Sequence, residues 1–176
     1  MRDDLVIRRE RPADHQPTMD LHDAAFVVPA GRGAPPQREV LQGLRADGSL
    51  IDELTFVAEL EGEVVGHVVC SRAALAGAPT VGVGPLSVRP AVQQQGIGAA
   101  LLMAVVASAD RIAEPVLVLH GDPEYFGFFG FRAASALGIT PLEAAGDTTF
   151  QALPLRAWRA RMAGDFRYPS AWRRLR

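Results

Sequence analysis

The sequence predicts an α/β domain: a mixed sheet with helices on both faces. Three observations carry that prediction. Thr80–Val88, the apolar series Ile97, Leu101, Val105, Ser108 and Ile112, and Val116–Leu119 read as strand, long amphipathic helix and strand. Such a βαβ unit requires parallel strands with the helix laid across one face. Two β-rich runs about Glu61-Gly62 place an antiparallel hairpin just before it, so the sheet must be mixed.

The elements follow in order. Leu5–Arg9 alternates and reads as a first strand. Asp14 offers an N-cap, Pro17 sits where an early turn tolerates it, and Leu21, Ala24, Ala25 and Phe26 continue with helical spacing. Val28–Pro36 is a Gly/Pro loop, and Gln37 to Arg45 a second short helix. Leu54–Leu60 and Val64–Ser71 form the hairpin. Thr80–Val88 contains Gly82, Gly84 and Pro85, residues that weaken a ladder, so a bulge or a parting of neighbouring strands is expected there. Pro115 stops the long helix, Asp122-Pro123 opens another that ends by Gly130, and Phe150–Leu155 is a late strand. The order is β-α-α-β-β-β-α-β-α-β, with no repeat and no linker, and residues 1–176 are read as one domain.

Composition removes several chemistries. All 18 basic residues are Arg, so Schiff-base catalysis and a Walker A phosphate loop, which need Lys, are excluded. A net charge of −2 argues against a nucleic-acid partner. Residues 156–176 hold seven Arg against one acid, a basic end that reads as solvated and charge-balancing. The single Cys70, in an apolar strand, allows no internal disulfide and reads as an inert core thiol. His15 and His22 lie seven apart without a third ligand, so no metal is expected. The charged N-terminus lacks a signal core, and no apolar run approaches membrane-spanning length. A soluble, cytoplasmic protein is expected.

The most informative stretch is Val88-Arg-Pro-Ala-Val-Gln93-Gln94-Gln95-Gly96-Ile97-Gly98-Ala99, running from strand through glycine loop into helix. The first turn of a helix has N–H groups without intrahelical partners, and its dipole favours an anion. Gly96 and Gly98 let a diphosphate approach the backbone because no Cβ intervenes. A plain glycine loop before a core helix is the alternative reading. Dinucleotide binding is disfavoured: the third glycine of G-x-G-x-x-G is replaced by Leu101, and no acid follows at the ribose-binding distance.

Gln93-x-x-Gly96-x-Gly98 after Leu86-Ser-Val-Arg-Pro90 resembles the acyl-CoA signature of the GNAT acetyltransferases. Glu59–His67 resembles that family's second hairpin. Gly84-Pro85-Leu86, His120–Phe131 and Gly164–Trp172 resemble its YhbS-like branch. The resemblance implies a single GNAT-like domain whose parallel strands splay around Val88 and Val116–His120 to hold acetyl-CoA. It places the pantetheine on main-chain groups of Leu86 and Val88, and the pyrophosphate on the amides of Gln94, Gln95, Gly96, Ile97, Gly98 and Ala99. Gln93 either braces the loop or is simply solvated. It implies transfer of acetyl to a primary amine, an acceptor pocket between Val28–Pro36 and Ala144–Thr149, and the edge-strand or C-terminal pairing that forms homodimers.

The resemblance also exposes a departure. Many relatives place a proton-donating Tyr four residues before the Gly of the final Gly-Phe; here that residue is Phe126, with Tyr125 beside it. One helical residue is a rotation of about 100°, so Tyr125 is a candidate acid that does not inherit the family position. His120, ending a strand beside the expected thioester, is the candidate base, with Asp122 or a water chain as alternatives. Tyr168 and Trp172 read as packing residues. A catalytically weak acyl-CoA-binding sensor is the alternative function, motivated by Phe126.

Overall fold

The computed structural model describes residues 4–26, 36–142 and 149–175. Strands β1 (Leu5–Arg9), β2 (Phe56–Leu60), β3 (Glu63–Leu75), β4 (Ala78–Val88) and β5 (Val116–His120) lie side by side in that order. The sheet continues through β8 (Phe150–Pro154) to the two-residue β6 (Arg132–Ala133). Two further strands, β7 (Ile139–Pro141) and β9 (Gly164–Arg167), pair with each other, and β9 also pairs with the far end of β3. The β4–β5 pair is parallel while β1–β4 are antiparallel neighbours, so the sheet is mixed as expected.

Helix α3 (Ile97–Arg111) makes the crossover between β4 and β5 and covers one face. Its buried stripe is Ile97, Leu101, Leu102, Val105 and Ala109. The expected continuation through Ser108 and Ile112 fails: the stripe turns to Ala109, and Ile112 lies outside the helix and is exposed. Ile112 is the C-cap, one residue past the last helical turn, so no further turn holds it against the sheet. Against α3 pack Val68, Cys70, Val81, Val83, Leu117 and Leu119, an entirely apolar layer.

The other face carries α1 (His15–Ala25), α2 (Pro36–Ala46) and the C-terminal segment. Asp14 stands at the N-cap of α1 without capping it. Its carboxylate accepts instead from the Arg11 amide at 2.7 Å and from Arg8 at 2.6 and 2.9 Å. A charged partner outbids a neutral amide for the same oxygens. Helix α4 (Pro123–Gly127) starts where Asp122 Oδ1 accepts the Glu124 N–H at 2.9 Å, and it ends before Gly130. Strand β2 begins two residues later than expected because Leu54 closes a short turn.

Two features of β4 prepare a site. Between Val68 and Cys70 the register on β4 jumps from Leu86 to Val83, so β4 carries one extra residue at Gly84-Pro85. Pairing with β5 is confined to Val81↔Leu117 and Gly82↔Val118. Beyond Gly82 the two strands part, at the position where the sequence places its ladder-weakening residues.

Candidate active site

The parted edge of β4 leads into the loop before α3. Gln93 Nε2 donates to the Val88 carbonyl at 3.0 Å and so ties the loop to the strand end. Gln94 and Gly96 both have positive φ, 61° and 82°. The left-handed turn aims successive amides into one concavity, and a Cβ added at Gly96 would meet only open space. A groove of about 510 Å³ lies over these amides. Leu86, Val88, Gln93, Gln94, Gly96, Ile97, Gly98 and Ala99 all line it. Gln95, grouped with them by the family resemblance, is exposed and does not line the groove. Backbone amides at a helix start, beside a strand edge without a neighbour, fit an extended ligand with an anionic end.

Tyr125 also lines this groove. Its hydroxyl lies 2.9 Å from where a Cβ on Gly98 would stand, so Gly98 leaves room for the phenol. Burial raises the Tyr125 pKa above its usual value. Its neighbour Phe126 turns the other way. The Phe126 ring sits on Gly121 so closely that any Cβ there would collide, and it lines a second cavity. The two rings touch edge to face, with centroids 5.0 Å apart, yet each lines a different cavity.

The second cavity, about 300 Å³, occupies the notch where β4 and β5 separate. Phe26 and Leu86 border both cavities, so the two are adjacent there. Val83, Pro85, Leu119, Phe126 and Trp172 supply apolar walls, and Gln37 and His120 the polar atoms. His120 is exposed at the end of β5, with Nδ1 3.4 Å from Thr149 Oγ1 and its ring against Phe150 and Tyr168. Of the two loops expected to frame the acceptor pocket, residues 28–35 and 144–148 lie outside the described residues.

The C-terminal segment explains two glycines that looked like simple ladder breakers. A Cβ at Gly82 would stand 2.6 Å from the Tyr168 ring, and one at Gly84 would stand 3.3 Å from the Trp172 ring. Trp172 Nε1 donates to Ser71 Oγ at 3.2 Å. Tyr168 packs as expected, with its hydroxyl buried, which pushes its pKa up. Trp172 does more than pack, since it is also a wall of the notch.

Sequence reading missed a polar chain behind β4. Ser87 Oγ lies 2.7 Å from His22 Nδ1, and His22 Nε2 lies 2.9 Å from His67 Nδ1. His67 Nε2 stands 3.3 Å from Glu10 Oε1, without the alignment of a hydrogen bond. Glu10 also takes Arg45 and, at 3.1 Å, the Thr18 hydroxyl. Ser87 Oγ is also 3.3 Å from His22 Nε2, so it approaches the imidazole broadside rather than along one lone pair. That geometry does not suit a serine nucleophile. Burial holds the His22 pKa down at about 3, with the Arg45 charge adding to it, and His67 well below its ordinary value for the same first reason. Both rings are neutral struts that seat α1 against the strand lining the groove. The available signal was a histidine amid the apolar β3 run.

Cys70 is fully buried, and burial raises its thiol pKa, so it is not a nucleophile. Among the described residues, no group of three or more His, Cys, Asp or Glu is placed to hold a metal, and no helix is long and apolar enough to cross a membrane.

A mixed sheet with parted parallel strands, a glycine turn at a helix start and a notch beyond it define an acyl-CoA-dependent transferase fold. Residues 16–124 match the model of the acetyltransferase (GNAT) family, and the chain belongs to that family. Its fold is shared with a GNAT family acetyltransferase from Brucella melitensis solved in complex with acetyl-CoA. The two are 32% identical over 96% of this chain and 97% of that one, with a TM-score of 0.77. The GNAT family N-acetyltransferase YhbS from Escherichia coli, in complex with CoA, has the same fold at 24% identity. It covers 96% of this chain and 92% of its own, with a TM-score of 0.84. No curated protein matches the sequence.

Proposed function

We propose that this protein is an acetyl-CoA-dependent N-acetyltransferase that passes acetyl directly to a primary amine. The observation that carries the reading is the succession of the Gln94–Ala99 turn, the unpaired edge of β4 and the notch, with Leu86 bordering the cavity at each end. The residues fit acetyl-CoA: the glycine turn suits its pyrophosphate, and the main chain of Leu86 and the Val88 N–H, on the edge of β4 that β5 leaves unpaired, suit its pantetheine amides. Solved relatives bound to acetyl-CoA and CoA support the same reading.

The bound thioester supplies an activated acetyl carbon. The chain's own residues do the rest. The amides of Gln94, Gly96, Ile97, Gly98 and Ala99 hold the anion, each charge-assisted bond contributing about 1.5–3 kcal/mol. The main chain of parted β4 orients the acyl end and offers N–H groups to the oxyanion as the C–N bond forms. His120 at the notch takes the proton that the amine sheds, directly or through water. The C–S bond then breaks with CoA leaving as thiolate, a good leaving group because thiol pKa values are about 8.5. Tyr125, over Gly98 at the loop, holds the cofactor rather than serving as the acid. Proton donation therefore has no dedicated residue where relatives place Tyr and this chain has Phe126.

Calorimetric titration of acetyl-CoA, followed by thiol release with amines, tests the proposal. Folded protein that does not bind acetyl-CoA would end it. Phe126 keeps the sensor reading in play: tight CoA binding without transfer to any amine across a broad panel would favour it. The possible homodimer and the cytoplasmic location expected from sequence belong to this proposal as well, and sedimentation and fractionation address them.

A further inference from the structure

The notch determines what kind of amine the enzyme can accept. Its volume of about 300 Å³ far exceeds an acetyl group, so most of it is left for the acceptor. Three aromatic rings, Phe26, Phe126 and Trp172, face it with Pro85 and Leu119, and none of its described lining residues is an acid. One polar atom there lacks a partner: Gln37 Oε1 is buried without a hydrogen bond. A buried carbonyl oxygen left unsatisfied is costly, and an N–H donor entering the cavity removes that cost.

We infer that the acceptor is a monoamine with an uncharged aromatic or bulky apolar body, its amino group received by Gln37 Oε1. This rests on the acetyl-CoA reading above. A second ammonium, as in a diamine or a lysine peptide with basic neighbours, would be desolvated with no carboxylate among the described lining residues to pair it. An aryl or branched alkyl body gains instead by burial against Phe126 and Trp172. The same walls help the chemistry. A low-dielectric cavity lowers the pKa of an ammonium, so the amine sheds its proton to His120 or water more readily before attack. The notch thereby supplies part of what a strong base would otherwise provide.

The test measures kcat/KM by thiol release for 2-phenylethylamine and tryptamine, against 1,5-diaminopentane and an N-terminally blocked lysine peptide. Acetyl-CoA binding is measured separately by calorimetry. The arylalkylamines should exceed both cationic acceptors by about tenfold or more. Trp172→Ala should raise KM for the arylalkylamines about tenfold while leaving acetyl-CoA affinity intact. Gln37→Leu, checked for an unchanged fold by circular dichroism, should raise amine KM in the same way, and Gln37→Glu should shift preference toward the diamine. Equal or better use of the diamine or peptide overturns the inference, as does acetyl-CoA binding with no turnover of either class. Failure to bind acetyl-CoA at all overturns the functional reading beneath it, which the calorimetry reports on its own.

Discussion

The two ends of the β4 groove are built on different principles. The loop end is made of backbone: a turn at Gln94 and Gly96, slim residues at Gly98 and Ala99, and one brace from Gln93 to Val88. The notch end is made of side chains drawn from distant segments: Phe26, Gln37, His120, Phe126 and Trp172. In the proposed reading, backbone amides recognise what every acyl-CoA shares, a diphosphate and a peptide-like arm. Side chains recognise what differs between acceptors. Binding of the common substrate and selection of the particular one are therefore separable by mutation.

The largest effect should come from Gly98→Glu. It sets a carboxylate on the anion seat and crowds the Tyr125 hydroxyl. Acetyl-CoA affinity should fall by about two orders of magnitude or more, measured by calorimetry on protein whose circular dichroism is unchanged. Retained binding would mean that the pyrophosphate lies elsewhere.

Acid should separate the ends next. His22 and His67 are buried neutral behind Ser87 on the loop half of β4, with pKa values below the ordinary 6.5. Their unfolded forms bind protons first, so the stability they contribute is complete above pH 6.5. It is lost as pH falls from there toward about 3 for His22. The loss is up to about 1.4 kcal/mol per pH unit for each ring. Urea unfolding at pH 7.5, 6.0 and 5.0 should show it, and His67→Gln should flatten the slope. Unchanged pH dependence in that variant would deny the histidine pair its role.

A smaller effect addresses the notch through the C-terminal segment that carries Trp172. Gly82→Ala places a methyl 2.6 Å from the Tyr168 ring. The C-terminal segment must shift, at a cost of about 1–3 kcal/mol. Thermal unfolding should drop by several degrees, and amine KM should rise while acetyl-CoA affinity holds. Tyr125→Phe should do least: a twofold to fivefold weaker acetyl-CoA affinity, with kcat and its alkaline limb unchanged. A collapsed kcat would return Tyr125 to the role of acid.

Legibility followed the same division. The crossover Thr80–Leu119, the Gln93–Ala99 loop and the parting of strands near Gly82 were readable because each depends on contiguous residues. A glycine turn, a helix start and a ladder breaker act within a few positions. Strands β6, β7 and β9 went unseen: they are two to four residues long and exist only through pairing with β8, β3 and one another. The long hairpin joining β3 to β4 at Ala76-Gly77 was also missed, because Ala76 hides a positive φ of 49° behind an ordinary residue type.

What the sequence determined by itself was the family's common part, a backbone cradle whose chemistry is local. Only the tertiary structure decided the rest. It set Tyr125 over the loop and Phe126 in the notch, brought Trp172 onto Gly84, and joined His22 to His67 across 45 residues. The physical reason is range. Dihedral preferences and helix-end amides are properties of neighbours in the chain. An apolar cavity with one waiting carbonyl exists only once remote segments have packed against each other.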